Sequence, residues 1–138
     1  MHKKLLAFYF LSSIAFAYSQ QSYVLDVVWD GFSTNLNISQ EVSWTNTSNV
    51  GVNKVVLLDW NHSYASERSP LGKFLATEYD YKLIRTSKQK RGFTTIATIR
   101  NQTETLSWIR KESAIDIVEV TLPKTIAPNA HFVFTVHY

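Results

Sequence analysis

The chain contains no cysteine, only four glycines and three prolines, and a single apolar run, which is too short to cross a membrane. Without cysteine no disulfide framework exists. An exported domain of this size must then be held by its own core, burying about two-thirds of its unfolded surface. The glycines are not arranged to cradle a phosphate, and no HExxH, EF-hand or nucleophile-elbow pattern occurs. Histidine is nearly as scarce: beyond the first few residues only His62, His131 and His137 remain.

The chain opens "MHKKLLAFYFLSSIAFAYSQ". Lys3 and Lys4 precede an apolar stretch over residues 5–17, and Ala17-Tyr18-Ser19 fits a small-x-small cleavage site, so residues 1–19 read as a secretory signal peptide cleaved near Ser19. A transmembrane helix needs about 20 apolar residues, so no membrane anchor is expected. The domain then spans residues 20–138, and the protein is secreted or periplasmic. Absence of cysteine in an exported chain fits a bacterial source. Losing Lys3 and Lys4 turns 14 cations against 11 acids (+3) into 12 against 11 (+1). So small a charge excludes bulk electrostatic attraction to nucleic acid. Four N-x-S/T triplets, at Asn37, Asn46, Asn61 and Asn101, carry little weight because polar loops generate them by chance.

Strand signals dominate. Residues 22–29 are rich in β-branched and aromatic types and end in the turn pair Asp30-Gly31. In residues 35–45, Leu36, Ile38, Val42 and Trp44 share one parity and polar residues the other, with only Gln40 out of place, the pattern of a half-buried strand. Residues 52–60 are apolar enough for a strand covered on both faces. Further strands are expected over residues 93–100, 106–111, 115–122 and 131–138. One helix interrupts them: Ser69 as N-cap and Pro70 at the first helical position precede Leu71, Phe74, Leu75, Tyr79 and Leu83 at helical spacing, with Glu78 and Lys82 as an i,i+4 pair. About seven strands and one short inserted helix predict an all-β fold, an antiparallel sandwich or saddle-like pair of curved sheets. The chain stops at the end of an alternating strand, which points to a piece of a longer protein.

The candidate chemistry gathers at the junction after the third strand. Asp59 and His62 are three residues apart, and an Asp–His pair can perform acid/base work. Equally, Asp59 and Asn61 can satisfy free backbone groups at the turn, and no third ionisable partner is identifiable. His131 and His137 lie on one face of one strand, roughly 20 Å apart, too far to share a metal. Trp60, Tyr64 and Trp108 can form an aromatic platform for a glycan, or pack the sheet and the helix; Trp29 and Trp44 are expected to pack. Residues 81–103 hold six cations and no acid, which reads as a solvated face or as attraction for an anionic partner.

The stretches "LLDWNHSYASERSPLGKF", "RGFTTI" and "IDIVEVTL", with "IAPNAHFVFTVHY" at the end, resemble the N-terminal β-saddle domain of secreted bacterial gluzincin zinc aminopeptidases. Trp60, Asn61, Tyr64, Ala65, Ser66, Leu71, Gly72 and Lys73 match the family's strand-to-helix junction. The resemblance implies a non-catalytic domain that packs against a catalytic domain and walls one side of its peptide cleft. Zinc and the catalytic glutamate would sit in that domain, so no cofactor is expected in this chain and peptide substrate is met only indirectly. A free-standing secreted binding module for carbohydrate or a surface protein is the alternative.

Overall fold

The computed structural model describes residues 21–138, so the expected signal peptide lies outside the described residues. Seven strands follow in order: β1 (Gln21–Val28), β2 (Asn37–Thr45), β3 (Val52–Leu58), β4 (Thr98–Arg100), β5 (Trp108–Lys111), β6 (Ala114–Ile126) and β7 (His131–His137). Two short helices, α1 (Pro70–Thr77) and α2 (Lys82–Arg85), lie between β3 and β4, flanked by 3-10 turns at Asn61–Ala65 and Lys88–Lys90. All strand pairings are antiparallel. They form a four-stranded sheet in the order β1-β2-β7-β4 and a three-stranded sheet in the order β3-β6-β5. The fold is all-β, as the alternating segments require.

One core joins the two sheets. Alternation in β7 turns Phe132, Phe134 and Val136 inward, and alternation in β6 does the same for Val118, Val120 and Leu122. Val42, Ile99, Leu106 and Ile126 complete the buried cluster, with Trp44 and Trp108 packed against it. Gln40, the polar intruder on the core parity of β2, is explained by the last residue of the chain: Tyr138 Oη donates to its Oε1 at 2.8 Å.

The single helix expected through Leu83 is two helices. Its start is as read from sequence: Ser69 caps α1, its Oγ accepting from Gly72 N at 2.9 Å while donating to Ser63 O at 2.6 Å. Gly72 is required there, because a Cβ would stand 2.4 Å from Glu67 O. The end is a Schellman motif. Asp80 N donates to Leu75 O (2.9 Å) and Tyr79 N to Ala76 O (3.2 Å), and Tyr79 adopts φ 59° in the left-handed position usually held by glycine. The break removes the Glu78–Lys82 pair, and Lys82 instead approaches Asp80 at 4.0 Å.

Three expectations are corrected: the double coverage of residues 52–60, the extent of the strand over residues 93–100 and the packing of Trp29. β3 is an edge strand whose core face holds Val55 and Leu57, while Val56 (59% exposed) and Leu58 (65%) face solvent. The strand expected over residues 93–100 shrinks to Thr98–Arg100, because the backbone at residues 93–94 bonds to the β3 junction instead. All eight residues of β1 are exposed. Trp29 is also exposed, its Nε1 donating to Ser33 O at 2.8 Å rather than packing a sheet.

The strand count explains β1. Tyr23 pairs with the buried Val42, Leu25 with Gln40 and Val27 with Ile38, so these three β1 residues point to the core side. Yet each remains about half exposed. The four-stranded sheet overhangs the three-stranded one by one strand, and β1 is the overhang.

Candidate functional site

Asp59 follows the last residue of β3 and organises the junction. Its Oδ1 accepts from the backbone N of His62 (3.1 Å) and from Thr94 Oγ1 (2.8 Å), and its Oδ2 accepts from Arg110 Nη2 (2.7 Å). Arg110 projects from β5 on the core side, where its Nη1 donates to Ile115 O (2.5 Å). Next to it, Asp116 is buried on β6, with Oδ2 taking a 3.3 Å bond from Ser63 Oγ and Oδ1 finding no partner among the described residues. A third ionisable group therefore does meet Asp59 and His62. It is Arg110, 51 residues from Asp59 and invisible to local spacing.

The Asp59–His62 pair is not an acid/base dyad in this arrangement. The carboxylate bonds the His62 backbone, while the ring reaches the other way: Nδ1 lies 3.1 Å from Thr94 N, which donates to it when the proton is on Nε2. Thr94 O, 3.0 Å away, is the acceptor in the other tautomer. Burial, and then the positive charge of Arg110, hold the His62 pKa below the usual imidazole range, against the opposing pull of Asp59, the Thr94 carbonyl and Asp116. The Tyr138 phenol is pushed up by burial and by the negative charge of Asp59. Asn61 completes the junction, its Nδ2 donating to Phe93 O (2.7 Å) and Thr94 Oγ1 (3.3 Å). Chemically the cluster is a lock that pins the loop before β4 to the end of β3.

The candidate aromatics separate. Trp60 (56% exposed) and Tyr64 form an edge-to-face pair, centroids 6.3 Å apart at 88°, on the outside of the junction. Trp108 packs against the core on β5 and does not join them. Trp60 is thus too exposed to anchor α1 to the sheet. The basic run divides as well: the buried Arg91 side chain bonds Glu67 through Nη1 and Thr86 O through Nε (3.0 Å), so it is internal rather than solvated, whereas Lys88 and Lys90 are exposed. His131 rests between Ser43 Oγ (3.0 Å) and Thr45 Oγ1 (3.2 Å), at the opposite end of β7 from His137. Among the described residues no three His, Asp or Glu side chains converge as a metal site.

Two concavities among the described residues lie outside the junction. One, about 360 Å³, is a shallow depression on the outer face of the four-stranded sheet, with Glu41, Thr135 and Arg100 in one cross-strand row and His137 beside them. The other, about 190 Å³, is a slot between the edges of the two sheets, lined by Tyr23, Val42, Trp44, Val55 and Leu57, with Lys54 at its rim. The slot is the space the β1 overhang leaves open, and no spacing rule pointed to it, because it depends on which strands become edges. No family model, curated protein or solved structure matches the chain.

Proposed function

We propose that this chain is a non-catalytic β-domain that packs against a second protein body and shapes that body's cleft. The observation that supports it is β1, an eight-residue strand carrying Tyr23, Val24, Leu25, Val27 and Val28 that is exposed along its whole length and overhangs the slot beside β3. Exposed apolar patches of this extent mark interaction surfaces, and an uncovered edge strand invites pairing. The commitment of Asp59, Arg110 and Thr94 to one another fits a scaffold rather than a reactive centre. The resemblance to gluzincin aminopeptidases supplies an identity for the second body: the catalytic domain of a secreted zinc metallo-aminopeptidase, holding zinc and peptide itself.

The absence of cysteine makes the test clean. A Leu25→Cys chain carries one thiol, and its maleimide labelling is followed with and without the catalytic domain of a gluzincin aminopeptidase from which its own β-domain has been removed. Labelling slowed at least tenfold is expected; an unchanged rate rejects the metallopeptidase partner. The chain alone, given zinc and aminoacyl chromogenic substrates, is expected to show no turnover, and hydrolysis rejects the non-catalytic reading. The exposed Trp60–Tyr64 pair favours a second reading, a free-standing carbohydrate-binding module. Glycan-array binding that is lost in Trp60→Ala would establish it.

A further inference from the structure

The slot beneath β1 lies where one further strand would pair with the open edge of β3. This inference rests on the reading of the chain as a docking domain. Among the described residues β3 pairs only with β6, so its other edge is open. The phase of that edge follows from one bond: Asp59 N donates to Asp116 O (2.7 Å), which places the N–H groups of Leu57 and Val55 toward β6 and those of Val56 and Leu58 toward the open side. A strand added to β3 lies about 4.8 Å further out, the width by which the four-stranded sheet exceeds the three-stranded one.

Such a strand would run under Tyr23, Leu25 and Val27 and beside Trp44, so its inward side chains must be apolar. Its other face continues the outer surface of the three-stranded sheet. There Lys54 (3.5 Å) and Lys111 share the single carboxylate of Glu119, leaving one cation in excess. Outward acidic side chains complement that charge. We propose that β3 accepts one extended strand from a partner polypeptide, with apolar residues facing the slot alternating with acidic residues facing out, completing a sandwich of four strands on four. The β1 of a second copy suits the place poorly: its outward residues Ser22, Val24, Asp26 and Val28 would bring one acid and two apolar side chains into solvent.

The test uses the purified chain and a capped nine-residue peptide alternating valine with glutamate, against a peptide of the same composition with all valines preceding all glutamates. Calorimetry reads binding and amide hydrogen exchange reads its place. The alternating peptide is expected to bind at least tenfold more tightly than the control and to slow exchange at Val56 and Leu58 at least tenfold. Val56→Pro removes one outward donor from an edge strand without touching the β3–β6 ladder, and is expected to abolish binding, while Val56→Thr retains it. Equal affinity for both peptides, no binding, or undiminished binding to Val56→Pro overturns the proposal. So does protection of Val56 and Leu58 without peptide, whether through a dimer seen by sedimentation or through residues 1–20 of the same chain. Should Val56→Pro fail to fold, the exchange measurement on the unaltered chain decides. If the aminopeptidase body shields Leu25→Cys but the peptide leaves Val56 and Leu58 unprotected, strand addition is rejected and the docking reading stands.

Discussion

Arg110 on β5 donates to the carboxylate of Asp59 at the end of β3, 2.7 Å away, across the intervening β6. Both side chains are mostly withdrawn from water, at 17% and 12% exposure, so the pair ties the two edges of the three-stranded sheet at the point where the chain leaves for α1. A pair this sheltered matters most when broken, because the surviving charge is left without its partner.

Arg110→Met is therefore expected to destabilise the domain by about 3 kcal/mol or more. In the double variant Asp59→Asn with Arg110→Met the stranded charge is gone, and the combined loss should be smaller than the sum of the two single losses. Urea denaturation of the four proteins completes the cycle. Strict additivity would mean that the two side chains do not act as a pair in solution.

His62 gives the domain a pH dependence of known sign. Its folded pKa lies below the ordinary value of about 6.5, so between those two pH values the unfolded chain binds more protons than the folded one. Stability is then fully present above about pH 6.5 and declines as pH falls through that window. Glu67, held below the usual range first by its own backbone N–H and then by Arg91, and Glu119, held there first by the hydrogen bond from Lys111, lose their contributions only at lower pH. His62→Gln should flatten the profile between pH 5 and 7. A variant whose stability falls as steeply as that of the parent would assign the effect elsewhere.

Tyr79 occupies a left-handed position with its side chain almost wholly in solvent. The strain there is of order 1–2 kcal/mol for a residue with a Cβ. Little packing is lost on truncation, so Tyr79→Gly should raise the unfolding free energy by about 1 kcal/mol, whereas a glycine at Ala76, within α1, should lower it by a similar amount. Thermal melts of both variants check the contrast.

The fold was legible wherever a residue's fate is set by its near neighbours. Parity in β2 and β7 and the Ser69-Pro70 start of α1 follow from alternation and capping, which are local. The helix end was hidden because a tyrosine holds the place that glycine would have advertised. The exposure of Val56 and Leu58 was hidden because an apolar run reads the same in an edge strand as in a covered one; the difference lies in whether a neighbour is present. The junction was half legible. Asp59 and His62 stand out by spacing, but Arg110, Thr94 and Asp116 reach them only once β5, β6 and the loop before β4 are in place. The open slot depends on strand order alone, to which no single segment testifies.

Trp60 offers the sharpest contrast between a residue's type and its role. Truncating a buried aromatic commonly costs 3–5 kcal/mol, and Phe134, 1% exposed at the centre of the core, should behave so when changed to alanine. Trp60, by contrast, keeps over half its surface in water and packs in a T-shaped pair with Tyr64. An edge-to-face pair contributes about 1 kcal/mol beyond burial, so Trp60→Ala should cost on the order of 1 kcal/mol and Tyr64→Ala a comparable amount, with the two effects overlapping in the double variant. Chemical denaturation of the three variants beside Phe134→Ala ranks them. A loss at Trp60 as large as at Phe134 would mean that the indole is buried in solution by something seated against the junction, and it would move the search for a partner from the β1 slot to that face.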